Sequence, residues 1–66
     1  MTAQPQTSIV QVGKIKTFGV DGPKYEVMGS GRASTDGEWL VPIRVVESGE
    51  QLDYRYSRFA LDPEAR

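Results

Sequence analysis

The chain has neither cysteine nor histidine among its 66 residues. Their joint absence excludes disulfides, thiolate nucleophiles, Cys/His zinc sites and histidine acid–base chemistry. An excess of one charge is also missing: eight Lys and Arg stand against nine Asp and Glu, a formal net charge of −1. A protein that lives on nucleic acid normally shows a basic excess or stripe, and no run of like charge here is long enough to act as a tail. The longest apolar run falls far short of the roughly 20 residues of a membrane span, so no membrane partner is expected. "MTAQPQTS" at the start carries no basic or apolar signal-peptide region, and the expected location is the cytoplasm. No segment sustains a helical apolar period.

What is present is short runs of Val, Ile, Tyr, Trp and Phe bounded by glycine and aspartate, the signature of strands. Residues 1–8 read as a disordered lead-in and residues 9–66 as a single small β-domain. Chains this short bury only about 60% of their unfolded surface. Without disulfides or metals, stability must come from idealised packing or from a partner chain.

The first run is "IVQVGKIKTF", residues 9–18, whose alternation slips at Gly13 and so predicts a bulge or bend. "GVDGP" reads as a turn and "KYEVM" as the next strand. With residues 19–23 as the loop, Ile15 falls opposite Val27, Thr17 opposite Tyr25 and Lys16 opposite Glu26. This register puts the apolar pairs on one face and the charged pair on the other. "GSGRASTDGE", residues 29–38, fits either a mobile loop or a frayed strand ending in an Asp36-Gly37 turn.

"VPIRVVESGEQLDYRY", residues 41–56, reads as a hairpin with Ser48-Gly49 as a two-residue loop. Val45 then faces Leu52, Ile43 faces Tyr54 and Val41 faces Tyr56, while Arg44 meets Asp53 and Val46 meets Gln51 on the other side. An odd-length loop would turn one strand inside out. In this register Pro42 and Arg55 form a non-hydrogen-bonded pair, so the missing Pro42 N–H points away from the 52–58 strand. Strand 39–46 is therefore expected at an edge, or unpaired on its other side near Pro42. In "LDPEA", Asp62 suits an N-cap and Pro63 a first helical position, enough for one short C-terminal helical turn.

The expected fold is all-β: an antiparallel meander of four to five strands, strongly twisted or closed into a small, partly open SH3-like barrel. Its expected core is Ile15, Tyr25, Val27, Trp39, Val41, Ile43, Val45, Leu52, Tyr54, Tyr56 and Phe59. Trp39 beside Arg58 would make a cation–π pair.

Motifs that carry chemistry are scarce. No carboxylate pair forms an acid–base motif, and there is no HExxH, nucleophile elbow or dinucleotide fingerprint. "GSGR" at residues 29–32 is glycine-rich but is not a phosphate loop and does not lead into a helix. No cofactor and no catalytic residue is expected. The aromatics could form a stacking platform for single strands, but filling the one apolar face of a small sheet explains them better. Pro42 on a strand rim either protects it against unwanted pairing or leaves a free part for β-augmentation; the protective reading is preferred.

"FGVDGPKYEVMG", then "GEWLVPIRVVESGEQLDYRYS" and a closing "LDPEA" resemble a group of short, uncharacterised bacterial proteins with an F-G-x-x-G-P-x-Y-E-V segment, a W-L-V strand, an E-[ST]-G-E turn and a terminal D-P-E-A. The resemblance covers residues 13–65 and rests on turn and core positions such as Gly22, Pro23, Tyr25, Trp39 and Gly49. It implies a shared fold and transfers no catalytic residue. Small proteins of this kind often travel on bacterial or phage mobile elements, among antitoxins, inhibitors and adaptors.

The expected function is therefore a non-enzymatic protein-interaction module, with Leu40, Pro42, Arg44, Val46 and Arg55 as candidate partner contacts and Met28 beside them. A homodimer through strand 39–46 or 9–18 would relieve the small core. The alternative is a nucleic-acid-binding β-barrel, which requires a basic stripe from Lys14, Lys16, Arg32, Arg55 and Arg58 and steep salt dependence.

Overall fold

A computed structural model describes residues 10–65; the expected lead-in at residues 1–8 lies outside them. Five strands and one helical turn follow in chain order: β1 (Ile15–Thr17), β2 (Lys24–Val27), β3 (Arg32–Ala33), β4 (Trp39–Val45), β5 (Gln51–Arg55) and α1 (Tyr56–Phe59). All pairings are antiparallel, and the sheet is the small all-β meander that the alternation of residues predicts.

β4 is its centre. β5 runs along one side of β4, while β2 and β3 share the other side in tandem. β2 pairs with residues 43–45 of β4 and β3 with residues 39–40. Pro42 sits at the junction. Its carbonyl accepts Met28 N–H at 2.8 Å, but it has no N–H to return to Met28, so the β2 ladder stops there. Toward β5, Pro42 faces Asp53. Val45 N–H donates to Glu50 O at 2.8 Å, and alternation from that pair makes Pro42–Asp53 a non-hydrogen-bonded pair. The missing donor thus points away from β5, and the sheet is interrupted beside it. Strand 39–46 is not an edge, however, because two short strands line its far side.

Two registers differ from the sequence expectation. In the β4–β5 hairpin, Val41 faces Tyr54 and Ile43 faces Leu52, a shift of two residues produced by a four-residue loop at 46–49 instead of two. The shift is even, so every side chain keeps its face. Tyr56 no longer opposes Val41; it opens α1. In the first hairpin the slip is a single residue: Ile15 faces Glu26, Lys16 faces Tyr25 and Thr17 faces Lys24. Phe18 N–H closes this loop on Pro23 O at 3.1 Å. An odd slip inverts the strand, so Lys16 points into the core face, where it is 8% exposed. At the strand's start Gly13, with φ +92°, and Lys14 both oppose Val27: Gly13 N–H donates to Val27 O at 2.8 Å and Val27 N–H to Lys14 O at 2.9 Å. That is the bulge expected at Gly13.

The open question at residues 29–38 resolves as a two-residue strand, β3, ending in a turn through Asp36-Gly37. Ser34 N–H donates to Glu38 O at 2.8 Å across it.

The core is Tyr25, Val27, Val41, Ile43 and Phe59, with Val10, Phe18, Tyr54 and Tyr56 packed against it. Trp39 and Leu52 are exposed, and Ile15 and Val45 are only half-buried. Trp39 lies at the sheet's end opposite Ala33, where its indole N–H donates to Ser30 O at 2.9 Å. Among the described residues the cation–π contact is Lys16 over Phe59, at 3.9 Å, not Arg58 over Trp39.

The helical turn also differs. It falls at Tyr56–Phe59, about two turns before the start at Pro63 that "LDPEA" suggests. The chain after it returns along the outer edge of β1: Lys16 bridges Glu64, Thr17 N–H donates to Pro63 O at 3.1 Å and Ala65 N–H to Ile15 O at 2.9 Å. Asp62 caps no helix and instead organises this return.

Candidate partner-contact surface

The sheet has two faces of different character. The core face carries a polar lock. Asp62 Oδ2 accepts the hydroxyls of Tyr25 at 2.7 Å and Tyr54 at 2.9 Å, and Oδ1 accepts Gly19 N–H at 2.9 Å. One carboxylate thus ties the first turn, β2 and β5 to the C-terminal segment. Lys16 Nζ donates to Phe59 O at 2.6 Å while standing over the same residue's ring. Burial pushes the Lys16 ammonium down from its ordinary value, partly offset by Asp62 and Glu64. Burial, then the bond to Asp62, pushes the Tyr25 hydroxyl well up, and the same causes raise Tyr54 to about 12. Every polar atom in this lock has a partner within the chain, so its geometry is that of a structural clamp.

The opposite face is the outer one. β4 places Leu40, Pro42 and Arg44 there, and pairing sets Arg55 of β5 beside Leu40 and Asp53 beside Pro42. Val46 follows just beyond β4, held by its N–H to Lys24 O at 2.9 Å. All five candidate partner contacts therefore share one face, although the cross-strand neighbours of Pro42, Arg44 and Val46 differ from those expected. Met28 and Val46 are exposed, at 43% and 49%, while Leu40 and Pro42 are half-buried. Met28, Pro42, Ile43, Gln51, Leu52 and Asp53 line an open hollow of about 190 Å³.

Ion pairs stand among these apolar groups. Arg44 meets Glu26 at 2.7 Å and Arg55 meets Glu38 at 3.5 Å. Arg32 on β3 reaches across β4 to Asp53 on β5, at 2.6 Å. The face thus interleaves apolar groups with self-neutralised ion pairs: Arg44–Glu26 separates Val46 from Pro42 and Met28, and Arg32–Asp53 spans β4 beside Leu40 and Pro42. Charge alternation in the sequence marks Arg44, Asp53 and Arg55 as outward, but the Arg32–Asp53 pair requires knowing that β3 and β5 flank the same strand.

Of the five cations of the expected basic stripe, four are paired or buried. Lys14 pairs with Glu64 at 3.3 Å, Lys16 is buried, and Arg32 and Arg55 are held by carboxylates, while Arg58 is exposed with no carboxylate partner among the described residues. Among the described residues no cluster of Asp and Glu is arranged to hold a metal ion, and no helix is long and apolar enough to cross a membrane.

Fold and surface together define a small all-β protein with one internally locked face and one face of interleaved apolar groups and ion pairs. The chain belongs to a family described as a family of unknown function, DUF5397, whose model matches residues 1–66. It is also 41% identical over 56 residues to a protein of Haemophilus influenzae (strain ATCC 51907 / DSM 11121 / KW20 / Rd) described as an uncharacterized protein, spanning 85% of this chain and 89% of the relative.

Proposed function

We propose that the chain is a non-enzymatic protein-interaction module acting in the cytoplasm, a small regulator, inhibitor or antitoxin-like partner that binds through the outer face of β4 and β5. The observation that carries this reading is that Met28 stays exposed beside half-buried Pro42, with exposed Val46 beyond Arg44 on the same face, among ion pairs whose charges neutralise one another. Such a face offers a partner apolar contacts at Met28, Pro42 and Val46, while the charges between them guide register. Return of the C-terminal segment to β1 after the helical turn also supports reading the sheet as a small, partly open SH3-like barrel. Binding of nucleic acid draws less support, because of the cations it would use only Arg58 is exposed without a carboxylate partner among the described residues.

A photo-crosslinking amino acid at Met28 or Val46, compared with one at Val20, tests the reading in the native host. Val20 is 86% exposed but lies in the first turn, away from this face. Discrete protein adducts from positions 28 and 46 and none from 20 are expected. No adduct from either, or the same adducts from all three, would overturn it.

A further inference from the structure

We propose that the outer rim of β5 is a self-association edge, two copies pairing antiparallel through β5 with Leu52 on the two-fold axis and Gln51 of each facing Asp53 of the other. This deepens the interaction-module reading by naming a second copy as one partner, and it rests on that reading only for the outward exposure of β5.

The other rims are closed or short. β4 is flanked on both sides, which removes strand 39–46 as a dimer edge. β1 is covered by the C-terminal return, which removes residues 15–17 of the 9–18 strand. β3 is two residues long. Among the described residues β5 pairs with β4 alone. The Val45–Glu50 bond fixes the phase of its ladder: Leu52 and Tyr54 direct their backbone groups to β4, and Gln51, Asp53 and Arg55 direct theirs outward. An unpaired row of this kind is a template for another strand.

Two-fold symmetry and that phase leave few registers. An axis at Asp53 sets two carboxylates directly opposite, which is unfavourable. An axis at Tyr54 runs at once into Tyr56, where the chain is already helical. An axis at Leu52 pairs Gln51 with Asp53 twice over, so each amide side chain meets a carboxylate whose Oδ2 is already neutralised by Arg32. It also sets Leu52, 36% exposed in the monomer, against its own copy and extends a core of only five buried apolar side chains. An edge this short buries far less than the roughly 1,200 Å² of a stable interface, so the dimer is reversible and concentration-dependent.

Sedimentation velocity of the full chain from low micromolar to near-millimolar concentration should show a monomer–dimer equilibrium. Leu52→Lys and Gln51→Pro should each hold the chain monomeric with an unchanged circular dichroism spectrum; the proline removes an outward N–H and leaves the β4 ladder intact. Because the chain has no cysteine, Leu52→Cys is a clean probe. Under oxidised glutathione it should form a disulfide dimer faster than Leu61→Cys, although Leu61 is the more exposed at 84%. A monomer throughout the range, or cross-linking at 52 no faster than at 61, would overturn the proposal even where the folding of a variant fails. Adducts at Met28 and Val46 with a monomeric chain would sink self-pairing and keep the module reading; a dimer without adducts would do the reverse.

Discussion

The Tyr25 hydroxyl donates to Asp62 Oδ2 at 2.7 Å, across 37 residues of sequence. It joins the centre of the sheet to a segment with no regular structure of its own, and Tyr54 shares the same oxygen. Hydrogen bonds to a charged acceptor contribute about 1.5–3 kcal/mol each, and hydroxyls left unpaired add a further penalty. Asp62→Ala should therefore destabilise the chain by about 3 kcal/mol and Tyr54→Phe by about 1 kcal/mol, measured by urea denaturation. Equal and negligible effects would mean that the C-terminal return is ornamental.

Alkali should loosen the same lock. The folded-state values of Tyr25 and Tyr54 lie above that of a free tyrosine, Tyr54 at about 12. Above pH ~10 the unfolded chain loses these protons first, so it binds fewer protons than the folded one. Stability is then fully present below pH ~10 and falls as pH rises toward 12. Lys16, shifted down, acts in the opposite sense below its ordinary value near 10.5. Denaturation midpoints measured across this range should fall more steeply for the wild type than for Tyr54→Phe.

Lys16 is a core residue with a charged tip. Its stem packs like an aliphatic side chain and its tip meets the Phe59 carbonyl and ring. Lys16→Ala should destabilise by about 2 kcal/mol, and Lys16→Met should recover most of that through the retained stem. Were the strand in the expected, inverted register, both variants would be silent.

The β4–β5 register separates two residues that look alike in sequence. Ile43 is 1% exposed and Leu52 36%. Ile43→Ala should cost about 2–5 kcal/mol, whereas Leu52→Ala at the rim should cost about 1 kcal/mol or less. Thermal denaturation of the two variants decides this, and equal losses would contradict the placement of Leu52.

Two glycines with similar backbone should differ in their tolerance. Gly13 has φ +92° with open space at its missing Cβ, whereas Gly31 has φ +102° and a Cβ there would lie 2.5 Å from Leu40 O and from Trp39 Nε1. Gly13→Ala should cost about 1–2 kcal/mol from backbone conformation alone. Gly31→Ala should cost more and shift the Trp39 fluorescence, since the indole must leave its bond to Ser30.

Local pattern carried much of this fold. Alternation in residues 41–55 determined which side chains face the core, because a shift of two residues leaves the faces unchanged. The same logic placed the proline: Pro42 could not donate toward a neighbour on its far side, and β2 stops there. Gly13 marked its bulge, and Leu40, Pro42, Arg44, Val46 and Arg55 fell on one face for the same reason of period two.

Only the tertiary structure decided the rest. Loop length set both registers, and a one-residue difference in the first hairpin inverted β1, against the preference of Lys16 for water, because the Phe59 carbonyl and ring were there to receive it. Asp62 reads locally as a helix cap, yet it became the clamp of the core once two tyrosines and Gly19 converged on it. Which edge stays open depended on the C-terminal segment returning to β1 and on β2 and β3 sharing one side of β4. These are contacts between residues far apart in the chain, and a one-dimensional pattern of apolar and polar residues fixes the face of a side chain but not the partner it meets there.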